Sequence, residues 1–204
     1  MAISLQKGQK IDLTKGNAGL SELIIGLGWD PVEQSGGSGG GFFSGLLGGK
    51  KVEIDCDASV LLLDANGKFT RKEHMIFFNN LTSPCGSVTH LGDNRTGSGD
   101  GDDEQILIQL NKVPTDVHKI VFVVNIYDCQ KRKQDFGMIK NAFIRVVNKS
   151  NQQEITRYNL TDSYAGKTAL IVGEVYRHQG EWKFAALGES TQDVSISAVV
   201  GRYK

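Results

Sequence analysis

The chain reads as an all-β protein, a single-domain β-sandwich with a few short helices. Many short strand-like stretches are separated by Gly and Asn turns. No regular strand–helix alternation appears. A length of 204 residues suits one domain of sandwich or barrel type and can bury a substantial core without staples. No internal repeat is visible.

Residues 3–5 and 11–13 alternate, and 23–27 is an apolar run ending at Gly28-Trp29-Asp30. Residues 35–50 are half glycine and form an insertion; such a segment loses too much chain entropy to order itself. It also carries Phe42, Phe43, Leu46 and Leu47, which can tack it to the body or to a partner. In the strand that follows, Val52, Ile54, Cys56, Ala58 and Val60 share one face, while Glu53, Asp55, Asp57 and Ser59 share the other. Asn66-Gly67 predicts a hairpin turn, with 68–70 opening the return strand. Residues 75–78 form a buried strand ending in Asn79-Asn80. Further strands are expected at 105–110, 120–126, 142–147, 154–160, 169–176 and 182–187, with Gln179-Gly180 as a tight turn. Residues 113–117 read as a turn or one helical turn, 135–141 as a short helix, and 191–201 as a strand or, preferably, a helix.

One stretch stands apart. Between Asp93 and Glu104, five carboxylates and one basic residue, Arg95, occupy twelve positions. Crowded acids repel, and a hard cation with oxygen ligands relieves that repulsion, calcium being the usual one. A solvated acidic loop is the other reading. The stretch has EF-hand length, but Arg95 and Gly97 stand at ligand positions and Ser98 where the glycine belongs. A cation site here therefore needs ligands from elsewhere. Asp55 and Asp57 project side by side about 7 Å apart on their strand, and Asn79 and Asn80 offer neutral oxygens.

Composition removes several classes. Lys+Arg and Asp+Glu are both 23, which argues against nucleic acid or an anionic membrane as the main partner. Three widely spaced cysteines, Cys56, Cys85 and Cys129, form neither a disulfide framework nor a zinc ribbon and read as reduced, buried thiols of a cytosolic protein. No signal peptide is expected from the first residues, and no apolar run approaches the ~20 residues that span a bilayer.

Competing motifs fail on context. Gly166-Lys167-Thr168 ends like a P-loop, but Thr161 stands where its first glycine belongs and a strand follows. Asp55-Cys-Asp57 resembles a phosphotransferase motif without the parallel sheet such enzymes need. Asp57-Ala-Ser59 resembles an adhesion-type metal site, with Leu61 in place of the second serine. The four histidines share no metal-ligand spacing, and no catalytic set follows from the residue order.

Several segments together carry a resemblance: Gly26-Leu-Gly-Trp-Asp30, Asp55-Cys-Asp-Ala-Ser59, Phe78-Asn-Asn-Leu81, the long run 86–104, Lys119-Ile-Val-Phe-Val-Val124, Ala142-Phe-Ile-Arg145, and Gly173-Glu-Val-Tyr-Arg-His178 with Glu181-Trp-Lys-Phe184. The chain resembles the TerD family, the tellurium-resistance and general-stress proteins of bacteria, over nearly its whole length. The resemblance implies a β-sandwich that binds two calcium ions at one end, with no established enzymatic activity. Carried over by motif, the implied ligands are Asp55, Asp57, Asn79, Asn80, Asp93, Asn94, Asp100, Asp102, Asp103 and Glu104. The seven carboxylates of this set, five in the acidic stretch and Asp55 and Asp57 on the strand, set against Arg95, favour two ions over one. The expected role is a cytoplasmic, non-enzymatic stress protein that docks other proteins or itself. A calcium-dependent enzyme or oxyanion handler is the alternative, and calcium-bridged attachment to the inner face of a membrane is a third reading. The insertion at 35–50 departs from shorter members and precedes the Asp55/Asp57 strand.

Overall fold

A computed structural model describes residues 2–17, 19–32, 54–92 and 101–204. The insertion at 35–50, Asp93, Asn94 and Asp100 lie outside the described residues. Among those described, the strands in chain order are β1 (Ile3–Leu5), β2 (Lys10–Asp12), β3 (Glu22–Pro31), β4 (Cys56–Leu63), β5 (Met75–Ile76), β6 (Val88–His90), β7 (Glu104–Gln109), β8 (Lys119–Ile126), β9 (Ile139–Asn148), β10 (Gln153–Asn159), β11 (Ala169–His178) and β12 (Glu181–Thr191). Two short helices, α1 (Cys129–Arg132) and α2 (Ile196–Val200), complete the frame with a few 3-10 turns.

The strands form two six-stranded sheets. The first runs β1-β10-β9-β3-β7-β6 and the second β2-β12-β11-β8-β4-β5. All pairings are antiparallel except β1 with β10. The expected all-β sandwich is therefore the observed architecture. Its core comes from alternate residues of facing strands: Leu23, Ile25 and Leu27 of β3 and Ile106 and Ile108 of β7 meet Ala58, Val60 and Leu62 of β4 and Phe122 and Val124 of β8.

The second sheet is buried on its other face as well. Leu61, Leu63, Val121, Val123 and Ile171 pack beneath Val199 and Val200 of α2. All eight residues of β4 are consequently buried, although four of them face away from the sandwich interior. Ser195 starts α2 by accepting the Ala198 N–H at 3.3 Å through its hydroxyl, an ordinary N-cap that resolves the 191–201 ambiguity in favour of a helix after Thr191.

Several expectations are corrected. β3 does not stop before Gly28; it runs on to Pro31 through a bulge between Gly28 and Asp30. The Asn66-Gly67 turn forms, with Gly67 at φ +72°, but residues 68–70 do not return along β4. Asp64 Oδ1 accepts the N–H groups of Asn66 and Lys68, and the Phe69 N–H goes to Tyr203 O at 2.7 Å. β5 is accordingly only two residues long. Strand β6 and helix α1 carry little periodic signal and escaped the sequence reading, and 135–141 contains a 3-10 turn, Phe136–Met138, rather than an α-helix. The thiols are all free; Cys56 and Cys129 are buried, but Cys85 is exposed, contrary to expectation.

Candidate metal centre

The predicted ligands that are described gather at one end of the sandwich, where β4 and β7 begin and β6 and β8 finish. Asp57 lies in β4, directly opposite Asn125 of β8. Asp55 precedes the strand and extends the same ladder, its carbonyl accepting the Tyr127 N–H at 2.7 Å. The Arg132 guanidinium of α1 approaches Asp55 Oδ2 at 3.5 Å and lies over the Tyr127 ring. β5 runs antiparallel to β4, so the 77–80 turn that follows heads towards this end. There the Phe78 ring meets Tyr127 edge-on at 6.5 Å. Asn80 spends its side-chain N–H₂ on Met75 O at 2.7 Å, while Asn79 is exposed.

The three acids that end the acidic stretch take three different places. Glu104 is the first residue of β7 and points into the sandwich, 2% exposed. Its Oε2 accepts the Ala58 N–H at 2.7 Å, at the edge of β4 that the short β5 leaves uncovered. His90 Nε2 lies 3.1 Å from the same oxygen, and the Gly92 N–H donates to His90 Nδ1 at 3.2 Å. With Nδ1 accepting, the proton sits on Nε2 and a neutral imidazole donates to Glu104. Asp103 is held at the β3 bulge: its Oδ2 accepts the Trp29 N–H at 2.7 Å and its own N–H goes to Leu27 O. Burial pushes the Asp103 carboxyl up; the Trp29 N–H pulls it down, and the carboxylates of Asp30 and Asp102 push it up again.

Asp102 turns to the outer face of the first sheet. Arg145 grips it through Nε at 2.7 Å and Nη2 at 2.8 Å, and Gln105 Nε2 adds a third bond at 2.9 Å. Arg145 also reaches Glu154, which pairs in turn with Arg157, whose guanidinium stacks 4.2 Å from the centre of the Phe143 ring. This alternating row is possible because β3 presents glycines beneath it. A Cβ on Gly26 would stand 2.3 Å from the Asp102 carboxylate, and one on Gly28 would stand 2.4 Å from the Phe143 ring. The Gly-Leu-Gly spacing in β3 thus has a steric cause, and Arg145 has a role that its place in the sequence did not disclose.

One thiol registers the convergence. Burial pushes Cys56 well up, and the carboxylates of Asp57, Glu104, Asp55 and Asp103 push it further. Two of these acids come from the β4 segment and two from the end of the acidic stretch, 46 residues apart for Ala58 and Glu104. On the outer face of the second sheet, Asn125 Oδ1 and Ser59 Oγ are buried without any hydrogen-bond partner. Among the described residues no three His, Cys, Asp or Glu side chains form a closed metal cluster.

Comparison with known proteins fits this architecture. Residues 1–203 match the TerD domain. The chain belongs to the TerD family. It is 64% identical over 203 residues to the stress response protein SCP2 of Bacillus subtilis (strain 168), covering the full length of both. It is 48% identical over 189 residues to the tellurium resistance protein TerD of Serratia marcescens, covering 93% of this chain and 91% of that one. A solved Streptomyces coelicolor A3(2) homologue of telluride resistance protein (TerD) superposes with a TM-score of 0.64 over 88% of this chain and 95% of that one; at 20% identity that likeness speaks to fold. The TerD family assignment places this chain among tellurium-resistance and general stress-response proteins. Among the described residues, no helix is long and apolar enough to cross a membrane.

Proposed function

We propose that this TerD protein binds calcium, two ions by charge, and acts in the stress response as a non-enzymatic module that docks other proteins or a second copy of itself from the cytoplasm. The observation that carries the reading is the convergence of the two acidic segments: Glu104 accepts the Ala58 N–H next to Asp57, and Asp103 is held on the Trp29 N–H at the same end of the sandwich. Acids brought that close need a cation or protons.

The donor chemistry fits a hard ion. The raised Cys56 thiol stays protonated, and His90 commits its two ring nitrogens to Gly92 and Glu104. The candidate donors are oxygens: those of Asp55, Asp57, Asp103, Asn79 and Asn80 among the described residues, with Asp93, Asn94 and Asp100 in the rest of the stretch. Bound calcium would neutralise charge and tie the β4 segment to the start of β7. Asp102 and Glu104 have protein partners, and in this reading they frame the site, Asp102 through Arg145 and Glu104 through Ala58 and His90.

A second reading uses calcium as a Lewis acid towards an oxyanion or other substrate. It is favoured by a cleft of about 750 Å³ that begins at Gly101 and is lined by Trp29, Lys140, Phe143, Arg157 and Asp162.

Thermal unfolding separates metal binding from a solvated acidic surface. Ions that bind only the folded state raise its midpoint. Calcium should shift the midpoint strongly upward relative to chelator, and magnesium much less, because magnesium demands a tighter octahedron. Equal midpoints in calcium and chelator would remove the proposal. Turnover of a tellurium or other oxyanion by the calcium-loaded protein, lost on chelation, would favour the second reading.

A further inference from the structure

We infer that the outer face of the first sheet, centred on Ile24, Leu107 and Val147, is the surface through which two copies of this chain associate. The inference rests on the docking reading above and names, within it, the surface and its occupant.

The two sheets finish their outer faces differently. On the second, Val199 and Val200 of α2 cover Leu61, Val121 and Ile171. On the first, Leu23, Ile25, Ile106, Ile108, Ile144 and Val146 fill the core, so the residues alternating with them project outward. Three of those are large and apolar. Among the described residues, Ile24, Leu107 and Val147 belong to neither buried apolar cluster. Register sets them in one row across the strands. Ile24 of β3 lies between Leu107 of β7 and Val147 of β9, and Thr89 of β6 continues the row beyond Leu107. Val147 is buried, while Ile24, Leu107 and Thr89 are half-buried.

Polar rows flank this strip on both sides. One holds Gln105, Arg145 and Arg157 in register, with Asp102 and Glu154 bonded to the arginines. The other holds Gln109 and Lys149, which both reach Glu22 Oε1, at 3.1 Å and 3.3 Å. An apolar strip inside a polar rim is the anatomy of a protein interface. Glu22, Asp102 and Glu154 are matched by Lys149, Arg145 and Arg157, so the face carries no net charge, and neither does the chain. Nucleic acid or an anionic membrane finds no excess of cations to meet here. A neutral face of interleaved charges fits another face of the same kind, and a two-fold pair of copies supplies one without net repulsion. With strands about 4.8 Å apart and residues about 3.3 Å apart, the strip and its rims cover about 500 Å² per copy. That lies at the lower limit for a specific interface, so the pair is weak, with a Kd on the order of 10 μM or above.

The test is sedimentation equilibrium of the full chain, in calcium and in chelator, from about 1 μM to about 1 mM so as to bracket that constant. The weight-average mass of the parent should rise with concentration from one copy towards two. Leu107→Glu sets a charge at the centre of the strip in both copies and should weaken association by about a hundredfold, because a two-fold pair counts the substitution twice. Thr89→Lys, at the half-buried end of the row, keeps the test open if the first variant fails to fold, and should weaken association by about tenfold. A parent that stays monomeric at the highest concentration would overturn the inference together with the second-copy part of the docking reading. A parent that associates, with both variants associating equally well, would overturn the inference alone and leave that reading standing. Association that both variants weaken, in a chain that binds no calcium, would support the inference and overturn only the calcium part of the proposed function.

Discussion

Asp57 and Asp102 both have buried carboxylates at the same end of the sandwich, and they face different sheets. Asp102 meets donors: two nitrogens of Arg145 and one of Gln105, on a bed of β3 backbone cleared by Gly26. Asp57 projects from β4 with Asn125 as its register partner and Ser59 two residues along the strand, and Asn125 Oδ1 and Ser59 Oγ are buried without a hydrogen-bond partner. A carboxylate among donors is a completed internal bond. Membership of an acidic motif therefore does not decide what an acid does; the charge and polarity of what faces it do.

That contrast breaks most visibly at Gly26. Gly26→Ala puts a methyl group into the Asp102 carboxylate and should dislodge it from Arg145, costing about 3 kcal/mol by overpacking and a broken pair together. Chemical denaturation in chelator measures it. A loss below about 0.5 kcal/mol, within the range of ordinary surface substitutions, would mean that Asp102 can leave Arg145 without consequence.

The next pair along the same row gives a smaller, pH-dependent effect. Arg157, then Arg145, hold the Glu154 carboxyl below its usual range. A depressed folded-state value means that this contribution is fully present above the unfolded carboxylate range and is lost as pH falls through the folded value. Both partners are partly exposed, so the contribution should stay under about 1 kcal/mol. Glu154→Gln should be less stable than the parent at neutral pH and should show a shallower loss of stability on acidification. Parallel pH profiles would remove Glu154 from the row's energetics.

The smallest expected effect is chemical. Cys85 is exposed and its Sγ lies 2.9 Å from Ser87 Oγ, whereas Cys56 and Cys129 are buried. An alkylating reagent should label Cys85 alone in the native protein and all three thiols after unfolding. Native labelling of Cys56 would mean that the β4 end opens far more readily than its burial implies.

Much of the fold was legible because periodicity follows burial. The apolar run that opens β3 and the continuous run of β8 each match a layer that the sheet buries on one side or both. What was not legible depended on partners distant in sequence. Residues 68–70 look like a return strand, yet Phe69 finds the C-terminal Tyr203 rather than β4. Three-residue β6 has no period to detect, although it delivers His90 to Glu104. At the candidate centre the acids were visible as a run, but their division was not. Nothing local distinguishes Asp102, claimed by Arg145 43 positions away, from Asp103, held by the Trp29 N–H.

The central claim is most directly tested by titrating calcium into Asp57→Asn and Asp102→Asn side by side, with the thermal midpoint of each in chelator. Asp57→Asn should lose about tenfold or more in calcium affinity, with a smaller loss of midpoint in chelator than Asp102→Asn. Asp102→Asn should lose about 2 kcal/mol of stability in chelator, with calcium affinity within about threefold of the parent. The reverse pattern, calcium binding lost with Asp102 and fold stability lost with Asp57, would contradict the account.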